Sequence, residues 1–291
     1  MGHASDIRIG ISGWTYEPWR GVFYPDALAV AKELAYASKI FNAIEVNGTF
    51  YGLQKPHTFE KWAAQTPDDF IFTLKAPKYI THQRRLLDIE QAVANFFVSG
   101  VLKLGPKLGP ILWQLPPNMV FKHDVIESFL KLLPHTTADI KPMGKACSDW
   151  MRPRAVTDGA EIPFRHAVEV RNESFETAEF TDLLAKHNVA VVVGDTAGRW
   201  PYFEDITSDF MYVRLHADEK KYPQGYTRPA LQTWADKLTS WSTGVSGIYA
   251  FLDNDEKTTA PANAVALSEL VKPATHDGAV GKAKRRGRTK D

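Results

Sequence analysis

Glu45, Lys75, Glu169, Arg171, Asp195, Arg214, His216 and Asp253 each stand at the end of a short, β-rich apolar run of the chain. Charges in such places need partners, because an unpaired ion taken out of water costs several kcal/mol, so these groups pair with one another, stay solvated or await a ligand. A self-satisfied salt-bridge layer, Glu169 with Lys75 or Arg171, is one solution. Chemistry is the other. Lys75, Arg171 and Arg214 with Asn47, Gln114 and Asn254 suit a seat for a phosphate or carboxylate, arginine supplying a planar fork and lysine a point charge. Glu45 and Glu169 then serve as general acid and base once burial raises one of their pKa values, with His216 as the alternative.

Other chemistries fit less well. Ser12 precedes Gly13 without a nucleophile-elbow pattern. Cys147 is the sole cysteine, so an internal disulfide, a Cys-rich zinc site and an iron–sulfur cluster are ruled out. Zinc would need several histidines, and only His216, with His82 after the third apolar run, is in place. Glu45, Glu169, Asp195 and Asp253 offer oxygen ligands that suit one Mg²⁺ or Mn²⁺, yet the three cations at the same rim oppose it. No cofactor is predicted, and a single such ion stays an open alternative. Aromatic residues crowd Gly13–Pro25 and continue at Phe50 and Tyr51. Trp14, Tyr16 and Tyr51 are the candidates for stacking on a ligand; Trp19, Phe23 and Phe50 are expected to pack.

The elements that position these residues follow from hydrophobic periodicity. Strands are expected at Ile7–Gly13, Ala43–Phe50, Phe70–Ala76, Pro110–Leu115, His166–Arg171, Ala190–Asp195, Phe210–His216 and Gly247–Asp253. Helical patterns follow at Ala27–Phe41, Thr58–Gln65, Ile89–Leu104, Asp124–Leu133, Thr177–His187, Pro229–Ser242 and Ala262–Val271, and the stretch after Asp195 is short and irregular. Eight strand–helix units argue for an α/β protein, a single (β/α)8 TIM barrel over residues 7–273, with an open doubly wound sheet as the alternative. The Gly-rich dinucleotide fingerprint expected of that alternative is absent after the first strand. Residues 134–165 read as an irregular insertion. Alternation along each strand places Glu45 and Asn47, Lys75, Gln114, Glu169 and Arg171, Asp195, Arg214 and His216, and Asp253 at the C-terminal mouth, where barrel enzymes keep their chemistry.

The chain of 291 residues has 35 basic and 34 acidic side chains. Gly278–Asp291 holds six bases and one acid, so the remainder carries 29 bases against 33 acids, a net of −4. Residues 274–291 read as a basic, disordered tail that can hold nucleic acid, while the acidic body disfavours extensive duplex binding. Residues 1–6 form an N-terminal tail without the apolar core of a signal peptide, and no 18-residue apolar run follows, so a cytoplasmic protein with no membrane partner is expected.

The run Ile9-Gly10-Ile11-Ser12-Gly13-Trp14-Thr15-Tyr16 with Trp19, Gly21 and Phe23-Tyr24-Pro25, then Phe41–Asn47 with Thr49-Phe50-Tyr51, resembles the YecE-like family, TIM barrels of unknown function. The resemblance continues through Phe70–Lys75, Ile80-Thr81-His82, Leu112–Pro117, Val168–Arg171, Val213–His216 and Asp253-Asn254, and covers about residues 7 to 271. This chain departs from the family pattern at Ala217, Phe175 and Asp253, where Gly, Trp and Asn are common. The resemblance implies a single barrel with Glu45, Asn47, Lys75, His82, Gln114, Glu169, Arg171, Asp195, Arg214, His216 and Asn254 at motif positions, and it implies no reaction. From the residues, the expectation is a hydrolase- or phosphodiesterase-like enzyme acting at the mouth on a phosphorylated or nucleotide-like anion. A noncatalytic nucleic-acid or partner-binding module is the alternative, and a sugar isomerase or glycoside hydrolase built on Glu45 and Glu169 a further one.

Overall fold

The structure is a computed structural model and describes residues 6–216, 224–253 and 258–271. Runs rich in β-branched and aromatic residues form eight strands: β1 Asp6–Ser12, β2 Ala43–Val46, β3 Ile71–Lys75, β4 Leu108–Gln114, β5 His166–Glu169, β6 Ala190–Asp195, β7 Phe210–Leu215 and β8 Gly247–Leu252. Each pairs in parallel with the next, and β1 pairs with β8, so the sheet closes into a barrel without an edge.

Alternation sorts side chains between two cores. Ile11, Ile44, Val46, Phe72, Leu74, Val168, Val193, Val213 and Leu215 face outward into the helix layer. Ala43, Leu112, Ala167, Ala190, Val192, Phe210, Tyr212, Tyr249 and Phe251 fill the interior as a separate apolar cluster. This plug closes the barrel from below. The next inward positions towards the strand ends carry the polar groups: Ser12 is in register with Glu45, Glu45 with Thr73, and Gln114 with Glu169.

The connections differ from the periodicity in two places. The pattern expected to run as one helix over Ile89–Leu104 is broken at Gly100, whose φ of 126° ends helix Glu90–Val98 before the turns of Val101–Lys107. Residues 134–165 are more ordered than their Pro and Gly content suggests. Thr136 pairs with Pro163, the Thr137 hydroxyl donates to Ala160 O at 2.8 Å and accepts from Ile162 N at 3.1 Å, and a helix spans Ile140–Ala146. These bonds pin the base of the excursion. Between β6 and β7 no helix forms, as the sequence indicates.

Candidate active site

Arg214 stands at the centre of the mouth, fully buried on β7. Its Nε donates to Glu45 Oε2 at 3.1 Å, Nη1 to Glu169 Oε2 at 2.5 Å, and Nη2 to both Glu45 Oε1 at 2.9 Å and Asp253 Oδ2 at 2.6 Å. Every nitrogen of the guanidinium is committed. Glu45 also accepts from Ser12 Oγ at 2.5 Å and from Tyr212 Oη at 2.6 Å, while Tyr212 Oη lies 2.9 Å from Thr73 Oγ1. Both Glu45 oxygens are therefore saturated beneath solvent. Burial pushes the Glu169 and Asp253 carboxyls up, but the Arg214 charge overturns this, helped by Arg171 at Glu169 and by the His216 hydrogen bond at Asp253, and holds both well below the usual carboxylate range.

Above this cluster sit groups with unused capacity. Arg171 Nε donates to Glu169 Oε1 at 2.7 Å, and its guanidinium lies 5.5 Å from the Trp200 ring centre. Its Nη atoms make no hydrogen bond among the described residues. His216 Nδ1 is 3.1 Å from Asp253 Oδ2, whereas among the described residues its buried Nε2 has no partner and the buried Gln114 Oε1 no donor. In the neutral ring, a proton on Nδ1 shared with Asp253 leaves the lone pair on Nε2. Lys75 Nζ makes no ion pair or hydrogen bond among the described residues and sits 4.6 Å from the Phe50 ring centre. His82 packs edge-on against Phe50 at 5.1 Å with Nδ1 2.9 Å from Thr81 Oγ1, and burial, then Lys75 and Arg171, lower its pKa. Asn47 Nδ2 donates to Ser12 Oγ at 3.0 Å and to Tyr16 Oη at 3.4 Å, tying the first two βα loops together.

The mouth thus brings together Glu45, Asn47, Lys75, Gln114, Glu169, Arg171, Arg214, His216 and Asp253, with His82 and Tyr16 beside them. Other expected members fall elsewhere. Asp195 shares the parity of Val191 and Val193 and faces the helices, where its Oδ2 accepts from Tyr226 Oη at 2.9 Å and Trp234 Nε1 at 3.2 Å; the inward slot of β6 is Gly194. Trp14 is turned out by Gly13, whose φ of 81° ends the strand geometry, and it packs edge-on against Trp62 at 5.4 Å. A Cβ on Gly13 would lie 2.5 Å from Tyr16 Oη. Tyr51 is 71% exposed and lines an outer cleft of about 470 Å³ with Tyr79 and Trp150. Asn254 lies outside the described residues. Arg214 is not the expected anion fork, and Glu45 is not a free acid or base, because each already satisfies the other. Ser12, Thr73 and Tyr212 share the inward parity of their strands, but no local signal announces their bonds to Glu45 and to one another; Trp200, on the irregular segment after β6, carries no periodic signal. Among the described residues no three His, Cys, Asp or Glu side chains come together to hold a metal ion, and no helix is long and apolar enough to cross a membrane.

A closed eight-stranded α/β barrel with a charge-compensated polar cluster at the C-terminal mouth of its strands defines a TIM-barrel protein. The family model "Protein of unknown function DUF72" matches residues 8–286, and the chain belongs to that family. It is 34% identical over 110 residues to the UPF0759 protein YecE of Escherichia coli K12, a stretch covering 38% of each chain. It is 31% identical over 140 residues to the UPF0759 protein YunF of Bacillus subtilis, covering 46% of this chain and 48% of that one. These aligned stretches span less than half the length of either relative. A crystal structure of a DUF72 family protein from Thermotoga maritima superposes with a TM-score of 0.71 at 25% identity, covering 92% of this chain and all of that one. Another, from Enterococcus faecalis, gives 0.68 at 14% identity over 92% of this chain and 96% of that one.

Proposed function

We propose that the barrel mouth is the active site of an enzyme that holds a small anionic substrate and moves a proton on it by general acid–base chemistry, with His216 as the base. The carrying observation is the His216–Asp253 pair, in which one imidazole nitrogen is tied to an ionised carboxylate and the other is buried with no partner among the described residues. A buried polar atom left unpaired costs about 1–3 kcal/mol, and the bound substrate's proton is what Nε2 is placed to take. Arg171, stacked on Trp200 with its Nη atoms uncommitted, is the anion seat that Arg214 cannot be. Gln114 Oε1 accepts a substrate hydroxyl or amine. Glu45 and Glu169 act through Arg214 and Arg171, as positioning groups. A glycoside hydrolase is disfavoured because one guanidinium binds both carboxylates and Glu169 is held ionised, without the proton that a general acid must give.

The test is calorimetric titration with inorganic phosphate, a triose phosphate and a small carboxylate. Binding of at least one of them, weakened about tenfold or more by Arg171→Gln, is expected from losing a charge-assisted hydrogen bond. Loss of solvent-proton exchange into the bound compound in His216→Gln completes the expectation. Binding indifferent to Arg171→Gln, or none by any of the three, overturns the reading.

A further inference from the structure

Lys75 is an amine among three carboxylates that pairs with none of them. Glu45 is taken by Ser12, Tyr212 and Arg214, Glu169 by Arg171 and Arg214, and Asp253 by Arg214 and His216. Its Nζ rests instead by the face of Phe50, which accepts no proton and offers only a weak cation–π attraction. A lysine required only as a fixed cation would be expected to occupy one of those oxygens. We propose that Lys75 is a nucleophilic amine that forms a Schiff base with the substrate, which places the substrate in the class of aldehydes or ketones bearing a carboxylate or phosphate group. This inference rests on the acid–base reading above and names the substrate class of that site.

Burial, then the charge of Arg214, lowers the Lys75 ammonium below the ordinary lysine range; Asp253, Glu45 and Glu169 pull the other way without overturning it. The neutral amine's lone pair adds to the carbonyl carbon, forming a C–N bond while the C=O π pair moves to oxygen. The oxygen takes one proton from the adduct's nitrogen and a second from solvent and leaves as water, giving an iminium ion on Lys75. That cation acidifies the neighbouring C–H. His216 Nε2 takes its proton, the C–H pair forms a C=C bond, and the C=N π pair returns to nitrogen to give a neutral enamine. Return of the proton to another carbon or face, then hydrolysis, restores the amine, with no net oxidation or reduction.

Reductive trapping tests this. The full-length chain is incubated near neutral pH with glyoxylate and sodium cyanoborohydride, and the carboxymethyl adduct is located by peptide mass spectrometry. Labelling of Lys75 about tenfold or more faster than exposed lysines such as Lys55 and Lys61 is expected, since a larger neutral fraction attacks. Lys75→Arg, checked for folding by circular dichroism, should lack that adduct and keep the surface background. Propanal, which has no anionic group, should label Lys75 more slowly than glyoxylate in the wild type and at a comparable rate in Arg171→Gln. Adducts distributed by exposure with Lys75 unlabelled overturn the proposal. If glyoxylate still binds calorimetrically in an Arg171-dependent way in that case, the acid–base reading stands and the Schiff base alone fails. If it neither binds nor labels, the Schiff base fails, and the acid–base reading fails with it when phosphate and the triose phosphate do not bind either.

Discussion

Replacing Arg214 by methionine would remove the cation that Glu45, Glu169 and Asp253 share and leave three carboxylates facing one another in a space from which water is excluded. The expected loss is about 3–5 kcal/mol in urea denaturation, the cost of breaking a buried ion pair from one side, whereas Arg171→Gln at the half-open rim should cost far less. Acid separates two kinds of buried group. His166 accepts from Trp113 Nε1 at 3.2 Å and donates Nε2–H to Pro134 O at 2.7 Å, so the fold needs the neutral ring, and burial pushes its pKa down to about 4. The unfolded chain takes up that proton first, near pH ~6.5, so the contribution of His166 is complete above that pH and is lost as pH falls towards 4, by about 3 kcal/mol in all. Glu169 and Asp253 have folded-state values below their unfolded ones of ~4, so their contribution is present above that pH and fades only below it. Denaturation midpoints should fall first between pH 6.5 and 4 and again below 4; His166→Gln should shrink the first limb and leave the second. A single limb in the wild type would contradict the assignment.

At the scale of elements, seven of the eight strands bring a polar side chain inward at or just past their C-terminal ends, Asp253 following β8. The eighth, β6, brings Gly194, and its terminal Asp195 works on the other face as the anchor of Tyr226 and Trp234. Asp195→Ala should therefore cost about 1–3 kcal/mol by unpairing two part-buried donors and should change Trp fluorescence, while phosphate or carboxylate affinity at the mouth stays within twofold of wild type by calorimetry. A collapse of affinity would return Asp195 to the site. The alternation of Val191 and Val193 already carried this outcome, because a residue two places on shares their face. Trp14 is the opposite case: its parity after Ser12 is inward, and only the left-handed backbone of Gly13 reverses it.

For the molecule as a whole, the acidic body and the basic C-terminal segment make separable predictions. Ending the chain after Val271 removes no strand of the barrel and should leave the thermal midpoint and anion binding at the mouth unchanged. If the segment holds nucleic acid, retention on single-stranded DNA should fall with it, and the salt dependence of binding should shrink by ~0.7 in log–log slope for each phosphate that the segment had neutralised. Filter binding at low and high salt measures both. Loss of small-anion binding on truncation would tie the segment to the mouth.

The eight strands, their order and the inward set of Glu45, Lys75, Glu169, Arg171, Arg214, His216 and Asp253 were legible in the sequence because the two-residue alternation of a strand is a local property that a few neighbouring side chains express. Which of those charges cancel was not. Arg214 and Glu45 are separated by 169 positions, and Arg214 and Glu169 by 45. Their bonds exist only once the barrel closes and removes the water that would otherwise solvate each ion. That closure made Arg214 and Glu45 internal partners and left Lys75, Arg171, His216 and Gln114 with capacity to spare, since a desolvated cluster first satisfies the ions whose strands hold them within hydrogen-bond reach.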